Sequence, residues 1–342
     1  MQFPATWPHC FSHGDCSNAC IGTLLQAGGI AEPVVLLFER VSFSLVRAQN
    51  GNAGLSIDAG DDDLAMRIER STGLTLQVAQ PAVFHEFRDA VEAVLRSGVP
   101  VGVTVDHYSY PQSPFHRSRH LPHKLVLCPA ELPRRHFAYL DPYPDFRQRG
   151  VWAEDELRCL CDSEWLAESR LEMVYFRPSR LTFDADAYLR ASWRSAVESN
   201  VLRMLSSGDH GRAGVEAISA LAAEIEDTYR RIDDSELGLR GAFPVEAPLE
   251  VGRSREGHAL WLARVGRLLG RDELLQQAQA FERIAVTWRN VRAVQIYLDK
   301  LEQSEIATTR EFAVKLLKRV PSQLRSIATA EAFALRAVAN EA

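Results

Sequence analysis

The chain of 342 residues is long enough to bury a sizeable core and is more typical of two domains than of one, with ordinary fractions of hydrophobic (46%) and charged (25%) residues. A net charge of −6 argues against general nucleic-acid binding, and six cysteines without a disulfide-like framework suit a reducing compartment. No apolar run approaches the roughly 18 residues of a membrane span, and the N-terminus lacks a signal-peptide pattern, so we expect a cytoplasmic protein that does not enter a membrane.

The first predicted element is a short helix that begins at Cys16. Asp15 is placed to cap its first turn, and Gly28-Gly29 is a stop signal. The residues that recur at helical spacing and would face a core are Cys20, Ile21, Leu24 and Leu25. Cys16 then lies where the helix dipole and free backbone N–H groups favour a thiolate, which makes it a candidate nucleophile. The alternative is a small buried residue, the commoner role of a free cysteine.

The residues that follow alternate between strands, helices and loops. Residues 34–38 and 43–46 are short apolar runs typical of either helix or strand, and residues 50–63, rich in Gly, Asn and Asp, predict a loop. Strands are predicted at residues 74–78, 99–105, 123–128, 136–140 and 171–176, and helices at residues 83–96 and 152–165. This order predicts an antiparallel sheet against which the Cys16 helix packs.

From about residue 184 the pattern changes to long helices with few prolines. Apolar residues recur at spacings of three and four in residues 215–232, 274–301 and 316–327. Residues 238–256 contain Gly and Pro without a clear period and predict a connecting loop. We therefore expect an α+β domain over residues 1–180 and a helical bundle over residues 181–342. The aromatic residues expected in the core of the bundle are Trp261, Phe281 and Trp288.

Three residues suited to cysteine chemistry occur at the ends of predicted elements. Cys16 opens a helix, His123 opens a strand, and Asp141 closes the next strand. Paired strands would bring His123 and Asp141 together, so that the acid orients the imidazole and the imidazole exchanges a proton with the thiol. This is the set of groups that acyl transfer on a cysteine needs. His120 lies three residues from His123, so either can be the base; we prefer His123 because it directly precedes the apolar strand.

A zinc site is an alternative use of the N-terminal residues. The potential ligands are His9, Cys10, His13, Cys16 and Cys20. A usual structural site pairs two close ligands with two distant ones, and no distant pair is evident, so we expect no metal. Cys20 and Cys128 are then core residues, and His107 and His116 are expected in loops or on the surface.

A resemblance to a known family rests on four fragments. They are residues 16–30 (CSNACIGTLLQAGGI), 99–108 (VPVGVTVDHY), 120–126 (HLPHKLV) and 139–142 (YLDP). These fragments resemble the amino-terminal domain of the butirosin biosynthesis protein H family. The helical half, especially residues 254–288, is similar to the helical domain usually fused to it.

The resemblance implies a papain-like fold and an enzyme of natural-product (antibiotic) biosynthesis. The implied enzyme is an acyltransferase. It would move an acyl or aminoacyl group from the pantetheine thioester of an acyl or peptidyl carrier protein to an amine acceptor. Cys16 would be the nucleophile, His123 the base and Asp141 the residue that orients it. No cofactor is implied beyond the phosphopantetheine that the carrier protein brings.

One feature departs from the papain-like pattern. Such enzymes often place a glutamine a few residues before the cysteine to bind the oxyanion. Here position 10 is a cysteine, Cys10, and the one glutamine that precedes Cys16 is Gln2. The oxyanion hole must then combine the Cys16 N–H with another donor, for which His13 and Asn18 are candidates.

The proline-rich loop 111–122 is expected to keep water out of the site. Tyr108, Tyr110 and Phe115 would contribute to this cover. Asp106 ends a strand at the rim of the expected site, where it would bind the amine or cap a turn.

The sequence allows more than one binding partner for the C-terminal half of the chain. Residues from 240 onward carry a net charge of +4, against −10 for the rest of the chain. Arginines there suit an acidic carrier protein, although each is also typical of a solvated helix face. They are Arg253, Arg255, Arg264, Arg267 and Arg271. Apolar faces on the long helices are compatible with a homodimer.

Two other functions are compatible with the same residues. A cysteine hydrolase (peptidase, amidase or thioesterase) would use the same triad, and a non-catalytic scaffold would merely bury Cys16.

Overall fold

The computed structural model describes residues 11, 13–47, 55–58, 63–143, 148–177, 182–206, 213–232, 247–302 and 315–342. These residues form two compact units. Unit 1 contains those up to residue 37 and those from 63 to 185, and unit 2 contains those from 38 to 58 and from 186 to 342. Residues 38–58 thus group with the C-terminal helices, whereas the domains 1–180 and 181–342 stay a prediction from the sequence. No helix in the described ranges is long and apolar enough to cross a bilayer.

The elements follow one another as strands, short helices and finally long helices. The strands are β1 (Ser44–Arg47), β2 (Leu55–Asp58), β3 (Thr75–Ala79), β4 (Val101–Asp106), β5 (Pro122–Cys128), β6 (His136–Leu140), β7 (Arg149–Ala153) and β8 (Met173–Arg177). The helices are α1 (Cys16–Ala27), α2 (Val34–Leu37), α3 (Leu64–Thr72), α4 (Phe84–Arg96), α5 (Glu154–Cys161), a 3₁₀ helix (Glu164–Ser169), α6 (Ala185–Leu205), α7 (Gly214–Ile232), α8 (Ala247–Leu269), α9 (Asp272–Glu302) and α10 (Val320–Glu341). The α+β class predicted from the sequence is confirmed.

Unit 1 is built on a six-stranded antiparallel sheet with the order β3-β8-β4-β5-β6-β7. The register of β4 and β5 sets Val105 opposite His123. The register of β5 and β6 sets Val126 opposite Leu140. Because neighbouring strands run antiparallel, the start of β5 lies beside the ends of β4 and β6. This edge of the sheet is where His123 meets the residue that follows β6.

Helix α1 packs closely on the central strands β4 and β5. The Asp15 carboxylate accepts a hydrogen bond of 2.7 Å from the Asn18 N–H, which confirms the predicted cap, and the helix ends at Gly28 as predicted. Gly102 of β4 permits the close approach, since a Cβ atom there would lie 2.6 Å from the Cys20 sulfur. Burial raises the pKa of the Cys20 thiol to about 12, so Cys20 is a core residue and not a nucleophile.

The opposite face of the sheet forms the main core of unit 1. Val101, Val103 and Val105 join buried residues of α4 and α5 in one apolar cluster. Successive side chains of a strand point to opposite faces, so these valines face α4 and α5 while Gly102 faces α1. The sheet is therefore covered on both faces, and α1 is held at a fixed height above β4.

Unit 2 combines the antiparallel pair β1–β2 with helices α6 to α10. Helix α9 packs against both α8 and α10, and α10 also contacts α7. Trp261, Phe281 and Trp288 are fully buried, which confirms their predicted place in the core. Phe43, just before β1, stacks on Trp288 with ring centroids 5.7 Å apart.

A buried ion pair lies inside unit 2. The Arg255 guanidinium donates to both carboxylate oxygens of Glu331, at 2.9 and 3.0 Å, and both side chains are fully buried. Arg255 also donates to the Ser42 carbonyl, and the Trp288 indole N–H donates to Glu331. Arg255 and the buried Arg253 are therefore not surface residues, and the prediction of five arginines on an exposed helix face is wrong for these two.

Three predictions of secondary structure were wrong. Residues 50–63 contain β2, whose alternating Leu-Ser-Ile-Asp pattern lies among loop-forming residues. Residues 247–256 form the start of α8 and not a loop. There Gly252 lies against α9, since a Cβ atom on it would be 3.2 Å from Trp288, so tertiary packing outweighs weak helix propensity. The helix predicted at 152–165 is divided, because β7 extends to Ala153 and a 3₁₀ helix follows α5.

Glu331→Gln should reduce the free energy of unfolding by about 3–5 kcal/mol, because it leaves the buried Arg255 without its counter-charge. Glu341→Gln is the matched control on the same helix: its partner Arg271 is about one-third exposed, and we expect a loss below about 1 kcal/mol. Urea denaturation followed by circular dichroism measures both losses. Equal losses in the two variants would contradict the role given to burial.

Candidate active site

His123 and Asp141 form a buried pair at the sheet edge. His123 is the second residue of β5, and Asp141 directly follows β6. The distance from His123 Nε2 to Asp141 Oδ2 is 2.8 Å, and the side chains are 1% and 0% exposed. The Tyr143 backbone N–H donates to Asp141 Oδ1 at 3.0 Å, so both carboxylate oxygens are engaged and the carboxylate is held in one orientation.

Cys16 completes this group from the first turn of α1. Its side chain hydrogen-bonds with the His123 ring, and the residue is partly exposed while His123 and Asp141 are buried. Because Asp141 engages Nε2, the ring nitrogen left for the sulfur is Nδ1. The structure therefore brings together the sulfur, imidazole and carboxylate of the three residues singled out from the sequence.

The protonation of His123 follows from these contacts. Burial alone lowers the pKa of His123, but the hydrogen bonds with Asp141 and Cys16 outweigh burial and raise the pKa to about 9. The ring is then positively charged at neutral pH. A cationic imidazole beside a helix N-terminus is the setting that favours the thiolate form of a cysteine.

Aromatic rings enclose the imidazole of His123. His107 stacks on it with centroids 4.5 Å apart, Tyr110 lies parallel at 6.0 Å, and Tyr143 meets it edge-on at 5.7 Å. Burial and the charge of His123 lower the pKa of His107 to about 3, so His107 stays neutral. Of the two positions expected for His107, a loop or the surface, the first is confirmed: the residue lies in the turn after β4, but it is buried against the candidate base and not on the surface.

Two of the three aromatic residues expected to cover the site lie against its histidines. Tyr110 is fully buried beside His123, and the Phe115 ring meets His107 edge-on with centroids 5.4 Å apart. Tyr108 points elsewhere and stacks on His120. The segment after β4 therefore supplies an apolar wall beside the candidate base.

His120, the alternative base, has its own carboxylate. His120 Nδ1 lies 2.7 Å from Asp106 Oδ2, so the two histidines pair with two different acids. The Asp106 Oδ1 atom accepts the Tyr108 N–H at 3.0 Å, which is the turn-capping role considered from the sequence. Asp106 is fully buried, and this argues against direct contact between its carboxylate and an amine.

The oxyanion donors differ in how they are placed. The N–H groups of Cys16 and Ser17 lie in the first turn of α1, where a helix offers no intrahelical acceptor. The Asn18 N–H is used by the Asp15 cap, and the exposed His13 ring lies edge-on to Phe11 at 5.3 Å. The side-chain candidates His13 and Asn18 stay predictions. Gln2 and Cys10 lie outside the described residues.

The zinc alternative finds no support within the described part of the chain. No group of three His, Cys, Asp or Glu residues there is close enough to hold a metal ion. His9 and Cys10, two of the five ligands considered, lie outside the described residues. The described Cys16 instead contacts His123.

Several residues near the histidines gave no usable signal in the sequence. Tyr143 follows Asp141 closely, but its contact with the His123 ring depends on the turn that it occupies. Ser163 and Trp165 reach Asp106 and His120 from beyond α5, more than forty residues along the chain. The sequence signals for this region were the strand end at Asp106, the alternative base His120 and Tyr108.

Asp141→Asn should lower the pKa of His123 from about 9, because burial is then opposed by fewer hydrogen bonds and charges. NMR titration of the His123 ring measures the change. The pKa of His123 is raised in the folded state, so the stability from this pair is complete below the unfolded value of about 6.5 and is lost as the pH rises through about 9.

Asp155→Asn is the matched control. It changes an exposed residue near Ala153, at the far end of the sheet, and should leave the pKa of His123 unchanged. An unchanged titration in Asp141→Asn as well would show that the carboxylate does not set the charge of His123.

Comparison with known proteins identifies the N-terminal segment. Residues 15–141 match the family model described as Butirosin biosynthesis protein H, N-terminal. No curated protein matches the chain. The matched segment begins at the cap of α1 and ends at Asp141, so it contains all three residues of the candidate site, Cys16, His123 and Asp141. Residues 15–141 are therefore similar to the amino-terminal domain of the butirosin biosynthesis protein H family.

Proposed function

We propose that this protein is a cysteine-dependent acyltransferase that moves an acyl or aminoacyl group from a carrier-protein thioester to an amine in natural-product biosynthesis. The observation that supports this proposal most directly is the buried His123–Asp141 pair, with 2.8 Å between Nε2 and Oδ2, and Cys16 hydrogen-bonded to the same imidazole. The match of residues 15–141 to a family named for butirosin biosynthesis supports a biosynthetic role. A cysteine helix packed on an antiparallel sheet that carries the histidine and the acid also agrees with a papain-like architecture.

The first half-reaction forms an acyl-enzyme. The Cys16 thiolate attacks the carbonyl carbon of the pantetheine thioester, and first-turn N–H groups of α1 are placed to bind the oxyanion. As the tetrahedral intermediate collapses, the pantetheine sulfur leaves and takes the proton from the His123 imidazolium. The products are a Cys16 thioester, a free pantetheine thiol and a neutral His123 that Asp141 still orients.

The second half-reaction forms the amide. An amine attacks the Cys16 thioester, and His123 receives the proton that the nitrogen loses. The Cys16 thiolate leaves and the imidazolium–thiolate pair is restored. A thioester is more reactive than an amide, so no ATP is required. The scheme is ping-pong, and it needs only the phosphopantetheine that the carrier protein brings.

A transferase has to keep water from the acyl-enzyme, and the surroundings of His123 favour this. Tyr110 and Tyr143 lie against the imidazole, and Phe115 borders the His107 ring. These rings limit the routes by which water reaches the base. The same three catalytic groups would serve a hydrolase if water, and not an amine, resolved the acyl-enzyme.

Incubation with an acyl-pantetheine thioester should add the mass of one acyl group to the intact protein, because Cys16 holds it as a thioester. Cys16→Ser should carry no thioester adduct, and Cys159→Ser, a change at an exposed cysteine of α5, is the matched control that keeps it. Intact-protein mass spectrometry measures the adduct. Its absence from the unaltered protein would support a non-catalytic role.

Addition of amines to the acylated protein separates the two catalytic outcomes. We expect an amide product and release of the adduct at a rate that rises with amine concentration. Release of free acid alone, at a rate independent of the amine, would contradict the transferase and favour a cysteine hydrolase.

A further inference from the structure

A second histidine–carboxylate pair lies at the same edge of the sheet. The buried Asp106 carboxylate accepts three hydrogen bonds: His120 Nδ1 and Ser163 Oγ each at 2.7 Å on Oδ2, and the Tyr108 N–H at 3.0 Å on Oδ1. Burial alone raises the pKa of Asp106, but these three bonds outweigh it and lower the pKa below its usual range. Asp106 is thus a fixed anion that orients one nitrogen of His120.

The His120 imidazole is held between two aromatic rings. Tyr108 stacks on one side with centroids 4.2 Å apart and Trp165 stacks at 4.6 Å, both nearly parallel to the imidazole. The His120 side chain is 29% exposed and Trp165 is 71% exposed. With its faces covered and Nδ1 bound to Asp106, the nitrogen that a substrate can meet is Nε2.

The sheet register places this pair at the same strand ends as the candidate base His123. Asp106 is the last residue of β4 and lies opposite Pro122, one position from the pair formed by Val105 and His123. The next residue, His107, stacks directly on His123. His120 therefore lies at the same end of the sheet as the buried pair, at a more exposed position.

We propose that His120 is a second base, which binds the ammonium form of the acceptor and removes a proton from it before the amine attacks the acyl-enzyme. The inference rests on the acyltransferase function proposed above. The proton passes from R–NH₃⁺ to Nε2 of His120, which gives R–NH₂ and a cationic imidazole that Asp106 stabilises; solvent later takes the proton. The exposed faces of Trp165 and Tyr108 attract the ammonium group.

The chemistry explains why a second base is useful. An alkylamine with a pKa near that of lysine, about 10.4, is almost wholly protonated at neutral pH and has no lone pair to attack with. His123 exchanges its proton with sulfur in the first half-reaction and is buried behind aromatic rings. A partly exposed imidazole with a fixed carboxylate meets the incoming ammonium first. The acceptor class is therefore a primary alkylamine that arrives as its cation.

The test separates acylation from aminolysis in His120→Gln. Acyl-enzyme is formed from an acyl-pantetheine thioester, and its reaction is then followed at neutral pH with two amines of similar size. 2-Aminoethanol is almost fully protonated, whereas 2,2,2-trifluoroethylamine is mostly neutral. We expect acylation within about 3-fold of the unaltered protein, a loss of about 30- to 100-fold with 2-aminoethanol, and a change below about 3-fold with trifluoroethylamine.

Two further variants complete the design. His136→Gln, an exposed histidine of β6 at the far end of the sheet, is the matched control and should react like the unaltered protein with both amines. Trp165→Ala, an exposed change, should raise the half-saturating concentration of 2-aminoethanol several-fold without a matching change for trifluoroethylamine. This readout depends on the charge of the amine, which a purely structural role would not sense.

The outcomes distinguish the two proposals. Equal losses with both amines in His120→Gln, or an unchanged rate with 2-aminoethanol, would overturn this inference and leave the acyltransferase function in place. Failure of the unaltered protein to form an acyl-enzyme would overturn both. Normal acylation with a loss confined to the protonated amine would support His120 as the second base.

Discussion

The hydrogen bond between His123 Nε2 and Asp141 Oδ2 is the contact on which the candidate site depends. It is produced by strand register: Leu140, the last residue of β6, pairs with Val126, so the chain that follows β6 runs beside the first residues of β5 and residues 18 positions apart meet inside the protein. Burial disfavours the charged form of the imidazole, yet the contacts with Asp141 and Cys16 together more than offset this effect and raise the pKa of His123. The resulting positive charge on the His123 imidazole lies next to one further group, the sulfur of Cys16.

The position of that sulfur depends on a separate contact, between α1 and β4. Gly102 has no Cβ atom, so the buried Cys20 of α1 rests on the strand backbone. Cys16 lies one helical turn before Cys20, at the end that Asp15 caps. A larger residue at position 102 would lift the helix and with it the sulfur. The packing of one face of α1 thus decides the geometry of its first turn.

Local signals predicted α1, its cap and the β5–β6 pair, because capping, helical period and strand alternation act over a few residues. Signals that depend on distant contacts were missed. The start of α8 is helical because Gly252 lets it approach Trp288, and the β2 strand is formed by pairing with β1. The stacking of His107 on His123 also arises from the β4–β5 register, which no single stretch of sequence encodes.

The stacked histidines also determine where charge can reside. The His107 and His123 rings are 4.5 Å apart, so protonation of one opposes protonation of the other. Asp141 and Cys16 favour the charge on His123, and burial keeps His107 neutral. His107 is therefore an uncharged ring that lies against His123 and directly follows Asp106, the partner of His120, in the chain. The two imidazoles thus use separate carboxylates: Asp141 orients the ring that meets the sulfur, and Asp106 orients the ring that we propose meets an incoming cation.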